Sequence, residues 1–200
     1  MTPVFPTVYF GNLAYYRSLF SLEEIKIESK EHFIKQTFRN RCEILTANGV
    51  QQLSIPVIRK NGSKTAIEEV EISNDTDWRK DHWKAIESAY SNSPYFEHYG
   101  NEVKELIYQN ETNLLKFNLN IQSRIFSWFQ IDIKTSFSLD YIIQNVDQRV
   151  LLNQNRLLTL KDTKTYIQVF GDLSDFTSNL SILDALFCQG PMTRKILMES

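Results

Sequence analysis

The chain has 200 residues, of which 42% are hydrophobic and 23% charged, with a formal net charge of −2. This is ordinary globular composition at the size of one large domain, which excludes a disordered chain and predicts a single domain over residues 1–200. The slight acidity argues against a general nucleic-acid binder, which needs a basic face to release counterions, so no nucleic-acid partner is expected.

The N-terminal "MTPVFPTVYF" carries no Lys or Arg ahead of its apolar residues and is interrupted by Pro3 and Pro6, so it does not read as a secretory signal. No apolar run reaches the ~18 residues of a membrane span. A cytoplasmic location is expected. In "EIKIE", Ile25 and Ile27 alternate with Glu24, Lys26 and Glu28, the period of a half-buried strand. "CEIL" and "QLSIPVI" flank Asn48-Gly49, which predicts a hairpin closed by those two residues. Pro56 cannot donate to a ladder and marks an edge or an end. "NGSK" is a loop, and "AIEEVEI" supplies Ile67, Val70 and Ile72 for another strand.

Helices follow. Asp75 to Asp77 offer N-caps for "WRKDHWKAIESAY", whose Trp78, His82, Trp83, Ala85, Ile86, Ala89 and Tyr90 share one face. Pro94 ends that helix near Ser93. "YFEHYGNEVKELIYQ" resumes the helical pattern, and Thr112 is positioned to cap "NLLKFNLNIQSRIFSWF". "IDIKTSFSLD" alternates like a strand, and "YIQVF" is a short strand or a helical turn. In "SILDALFCQGP", Ser181 with Asp184 resembles a capping box, Gly190 fits a C-cap, and Pro191 blocks continuation. The fold class is therefore α+β: an N-terminal antiparallel sheet with hairpin, a central helical layer and a mixed C-terminal part.

Chemistry-bearing residues are few. Lys35, Gln36, Arg39, Asn40 and Arg41 crowd the approach to the hairpin. If that stretch is extended, Lys35, Arg39 and Arg41 share a face at ~7 Å spacing. Planar guanidinium forks there suit a phosphate or carboxylate. From the residues alone the favoured reading is instead a solvated face answered by Glu28, Glu31 or Glu43. His82 suits a general acid or base, yet it lies mid-stripe between Trp78 and Ile86, where a buried, hydrogen-bonded structural histidine is the favoured reading. Tyr90, Tyr95, Phe96 and Tyr99 suit either a ligand pocket or a core edge. Cys42 and Cys188 are far apart and match no metal or redox spacing, so both read as reduced and buried, with no metal expected. No phosphate-cradling glycine loop, GxSxG elbow, HExxH helix or Cys/His cluster is present, which argues against a standard ATPase, a serine hydrolase and a zinc enzyme and leaves any cofactor unknown.

Four ordered blocks, "KQTFRNRCEILTANGVQQLSIPV", "KTAIEEVEI", "HWKAIESAYSNSPYFEHY" and "NLSILDALFCQGP", resemble the WbqC-like protein family, in the branch common in Bacteroidota. The family takes its name from gene clusters for lipopolysaccharide O-antigen synthesis. The resemblance implies a cytoplasmic protein handling a sugar-nucleotide or amino-sugar ligand. The matching positions are Lys35, Gln36, Arg39, Asn40 and Arg41; then His82, Trp83, Ala89, Tyr90, Pro94, Phe96 and Tyr99; then Asn179, Leu180, Ser181, Asp184, Phe187, Gly190 and Pro191. Two departures stand out. The His-Gln-Pro-type segment of relatives is replaced by "TVYFGNLAYY", which has no histidine. "DQRVLLNQNRLLTLKD" keeps Asp147 and Arg149 without the His-Pro-Lys-like segment. The implied function is group transfer or ligation in envelope-polysaccharide precursor synthesis, with Lys35, Arg39 and Arg41 holding an anion. In that scheme Gln36 and Asn40 orient a polar group, Tyr90 and Tyr95 line the pocket, and His82 serves as acid or base. The rival is a non-catalytic ligand-binding or interaction member.

Overall fold

The computed structural model describes residues 2–142, 165–171 and 175–198. Asp147 and Arg149 lie outside the described residues. The fold is α+β. Strand β1 (Val4–Phe5) lies beside β2 (Glu24–Ile27), which pairs on its other side with β7 (Lys134–Phe137). Ile25 and Ile27 enter the core as their alternation requires. This N-terminal sheet is parallel rather than antiparallel. Helix α1 (Leu13–Leu19) lies between β1 and β2 and carries the chain back to the same end, as a parallel pair demands. β7 is exposed throughout, with Phe137 49% accessible, so its alternation marks a sheet edge and not an inward face.

The antiparallel element is the hairpin of β3 (Arg41–Thr46) and β4 (Gly49–Ser54). Its register pairs Thr46 with Gly49, so Ala47 and Asn48 form the loop, one residue earlier than Asn48-Gly49. Within this turn Gly49 alone takes a positive φ, at 98°, the arrangement in which a right-handed turn is followed by a left-handed glycine. After Pro56, β5 (Val57–Ile58) pairs with β6 (Glu71–Ile72). The predicted strand "AIEEVEI" is mostly a 3₁₀ turn at Ile67–Glu69, which still buries Ile67 and Val70.

Helices α2 (Trp78–Tyr90), α3 (Phe96–Tyr108) and α4 (Leu114–Trp128) form the central layer. Asp77 is the N-cap of α2 but makes no side-chain cap bond. Asn113, not Thr112, caps α4, accepting from the Lys116 N–H, because Thr112 is engaged through its carbonyl by Ile72. Residues 166–170 form neither strand nor helix; they run irregularly into a turn.

Helix α5 (Ile182–Gln189) is almost wholly buried and leads through a 3₁₀ turn into α6 (Thr193–Met198). Ser181 caps α5 through its Oγ. Asp184 does not complete a capping box, because its carboxylate is held from elsewhere and the Ser181 N–H donates to the Glu43 carbonyl. Gly190, at φ 53°, closes α5. The N- and C-terminal segments are stitched directly: Leu13 donates to the Leu180 carbonyl and Ile182 to that of Gly11.

Candidate functional site

The stretch from Lys35 to Asn40 is a series of turns, not a strand. Gln36 takes φ 59°, a left-handed value uncommon for a non-glycine residue. The turn rotates Arg39 inward. Its Nε and Nη2 donate to the two Glu31 carboxylate oxygens at 2.7 and 2.6 Å, with both side chains at most 5% exposed. Nη1 reaches Thr37 Oγ1, and Asn118 of α4 donates to the Arg39 carbonyl. Arg39 is thus a fully answered anchor. Phe38 is buried beside it, its carbonyl accepting from Tyr9.

That anchor presents the neighbouring residues to one concavity of about 290 Å³ between the turn and the β4–β5 joint. Lys35, Gln36, Asn40 and Arg41 line it, together with Arg59 from beyond β5, over a floor that includes Ile55 and Pro56. Asn40 ties the two lips: its Nδ2 donates to the Ile55 carbonyl and its own carbonyl accepts from Ile55. None of the Lys35, Arg41 and Arg59 side chains makes a hydrogen bond or ion pair among the described residues, and no carboxylate lines the cleft. Asn40 Oδ1 and Arg41 Nε are buried without partners. Buried polar groups are normally satisfied, and both orphans belong to residues that line the cleft. Arg59 was not singled out in the sequence. Its only local sign is a basic pair, Arg59-Lys60, following a strand.

The remaining candidates lie elsewhere. His82 is 5% exposed, its Nδ1 2.9 Å from the Tyr9 hydroxyl and its ring edge-on to Trp78. Burial pushes its pKa down to about 4, outweighing the favourable contact with the Ser54 carbonyl, so the ring is neutral at pH 7. The neutral ring is held by the Tyr9 hydroxyl at Nδ1 and by the Ser54 backbone. Tyr90 is fully buried; its hydroxyl accepts from Leu45 N and donates to Asp184 Oδ1 at 3.0 Å. Tyr95 packs its ring over Gly190.

Asp184 is the residue that motif reading misplaced. It is fully buried and accepts from Tyr90, from Tyr166 at 2.6 Å and from Gln168 at 2.8 Å. Burial raises its pKa, and the three donors partly offset that by favouring the ionised form. A larger cleft, about 800 Å³, lies in front of this node, with Asn92, Tyr166, Gln168, Phe176 and Cys188 among its walls. Its polar groups are largely engaged: Gln168 bonds Thr177 through both amide atoms, and Ser93 donates to the Tyr90 carbonyl. The two cysteines are free and buried, and burial pushes the Cys188 thiol up to about 12. Among the described residues no group of three His, Cys, Asp or Glu is placed to hold a metal, and no helix is long and apolar enough to cross a membrane.

Comparison with known proteins yields a profile match to the WbqC-like protein family over residues 7–168. The chain is also 30% identical over 128 residues to the uncharacterized protein Rv1507c of Mycobacterium tuberculosis, covering 64% of this chain and 55% of the relative. The chain therefore spans about half the length of that curated relative. No solved structure matches significantly.

Proposed function

Because the chain belongs to the WbqC-like protein family, we propose that the cleft between the Lys35–Asn40 turn and the β4–β5 joint binds the anionic group, phosphate or carboxylate, of an activated or amino sugar in envelope-polysaccharide precursor synthesis. One observation carries this reading: Lys35, Arg41 and Arg59 share a small concavity with no carboxylate to answer them. Like charges held close destabilise the empty protein, and an anion relieves that repulsion. Gln36 and Asn40 orient the ligand's polar groups, and Arg39 positions the turn from behind.

Group transfer uses these cations to stabilise negative charge on the departing group, a role that asks for positioning and electrostatics and not for a histidine. The second reading is a non-catalytic binding member. It is favoured by the placement of His82, closed inside the α2 face with Nδ1 occupied. Both readings share the binding step. A thermal-shift panel of nucleotide sugars, sugar phosphates and amino acids tests it, because a ligand of the native state raises the melting temperature by mass action. We expect a shift with at least one anionic member, and its loss in Arg41→Gln. A panel with no shift, or shifts that survive Arg41→Gln, overturns the assignment.

A further inference from the structure

We infer that the basic cleft selects a phosphoryl group over a carboxylate, and that Arg59 is the residue that sets this preference. The inference rests on the anion-site reading above and narrows it to one ligand class. A carboxylate is a single negative charge on one planar pair of oxygens, and one arginine fork balances that charge and engages both oxygens. Arg39 on Glu31 is that arrangement, built inside this same protein: one guanidinium, one carboxylate, two bonds at 2.7 and 2.6 Å. The cleft offers more than that. Arg41 opens β3 on one lip, Arg59 follows β5 on the other, and Lys35 stands on the turn between. Three cations around a monoanion leave a net positive charge in a half-enclosed site. A phosphate ester, with charge of about −1.5 to −2 and three acceptor oxygens in a tetrahedral array, answers donors arriving from two lips and a turn.

Size agrees with the charge. About 290 Å³ is at the low end of small-molecule sites and suits the anionic head of a larger ligand, the remainder lying outside.

Titration calorimetry of the full chain with pyrophosphate, inorganic phosphate and acetate tests this, each at two salt concentrations, on wild type, Arg41→Gln, Arg59→Gln and Arg59→Lys. Melting temperatures report whether each variant is folded. We expect the phosphoryl anions to bind at least tenfold more tightly than acetate, with binding that weakens as salt rises. Arg59→Gln should remove most of that preference at unchanged melting temperature, and Arg59→Lys should restore part of it. Acetate binding as tightly as phosphate, or a preference indifferent to Arg59→Gln, overturns the inference and leaves the anion site standing. Absence of all anion binding, or binding indifferent to Arg41→Gln, overturns the anion site itself.

Discussion

Arg39 and Arg41 are two residues apart and opposite in circumstance. Arg39 is buried and bidentate on Glu31, whereas Arg41 has no partner among the described residues. Breaking a buried pair leaves an uncompensated charge, so Arg39→Gln should destabilise by roughly 3–5 kcal/mol in urea titrations. Arg41→Gln should stay within about 0.5 kcal/mol of wild type. Replacing both partners, Glu31→Leu with Arg39→Met, should recover most of the loss, since an apolar pair needs no desolvation of charge. Nothing in the string "FRNR" separates the two arginines. Which one turns inward depends on the left-handed Gln36 and on Glu31 lying eight positions back.

His82 carries the pH dependence at this scale. Its folded pKa lies below its unfolded value near 6.5, so its contribution is fully present above that value and is lost as pH falls toward 4. The loss amounts to about 3 kcal/mol. Unfolding measured from pH 7 to pH 4 should show that slope in wild type, and a flatter one in His82→Gln, itself less stable at pH 7. Equal slopes would show that the ring is not held neutral by burial.

Elements were more legible than contacts. The α2 stripe and the hairpin follow from spacing alone, because a 3.6-residue period and a turn dipeptide are local signals. Capping was less legible: Asn113 displaced Thr112, and Asp184 left its cap for Tyr90, Tyr166 and Gln168, partners that only tertiary packing supplies. The turn loop was one residue off, which decides where a substitution hurts. Gly49→Val forces a β-branched residue to φ 98° and should cost on the order of 1–2 kcal/mol in denaturant, although nothing lies within 4 Å of the new Cβ. Asn48→Ala, at negative φ, should be nearly neutral. Gly190→Ala meets a harder obstacle, with its Cβ placed 2.4 Å from the Tyr95 ring. A cost of about 1–3 kcal/mol is expected, of which Tyr95→Ala in the double variant relieves the ring contact but not the strain at φ 53°.

Across the whole molecule the family profile ends at residue 168, yet the core does not. Ile182, Leu183, Ala185, Leu186 and Phe187 are fully buried, and Asp184 joins α5 to α2 and to residues 166–168. A chain ending at residue 179 should therefore be insoluble or molten. Cooperative melting of that fragment at the wild-type temperature would show that α5 is dispensable. The parallel N-terminal sheet was hidden in the sequence for a related reason. Alternation in "EIKIE" reports a buried face and not the direction of a neighbour some 110 positions away.

The stitch between the chain's two ends has a consequence for biosynthesis. Ser181 Oγ donates to the Phe10 carbonyl across 171 positions, and the backbone bonds Leu13–Leu180 and Ile182–Gly11 flank it. At 5–20 residues per second a ribosome takes on the order of ten seconds or more to make that partner. Throughout the interval α1, with buried Leu13, Ala14, Tyr15, Tyr16 and Leu19, has emerged without the helix that covers it. The covering partner becomes available only once residues 181–189 have been made, and refolding in vitro should be slow for the same reason, since distant partners must meet before the core can close.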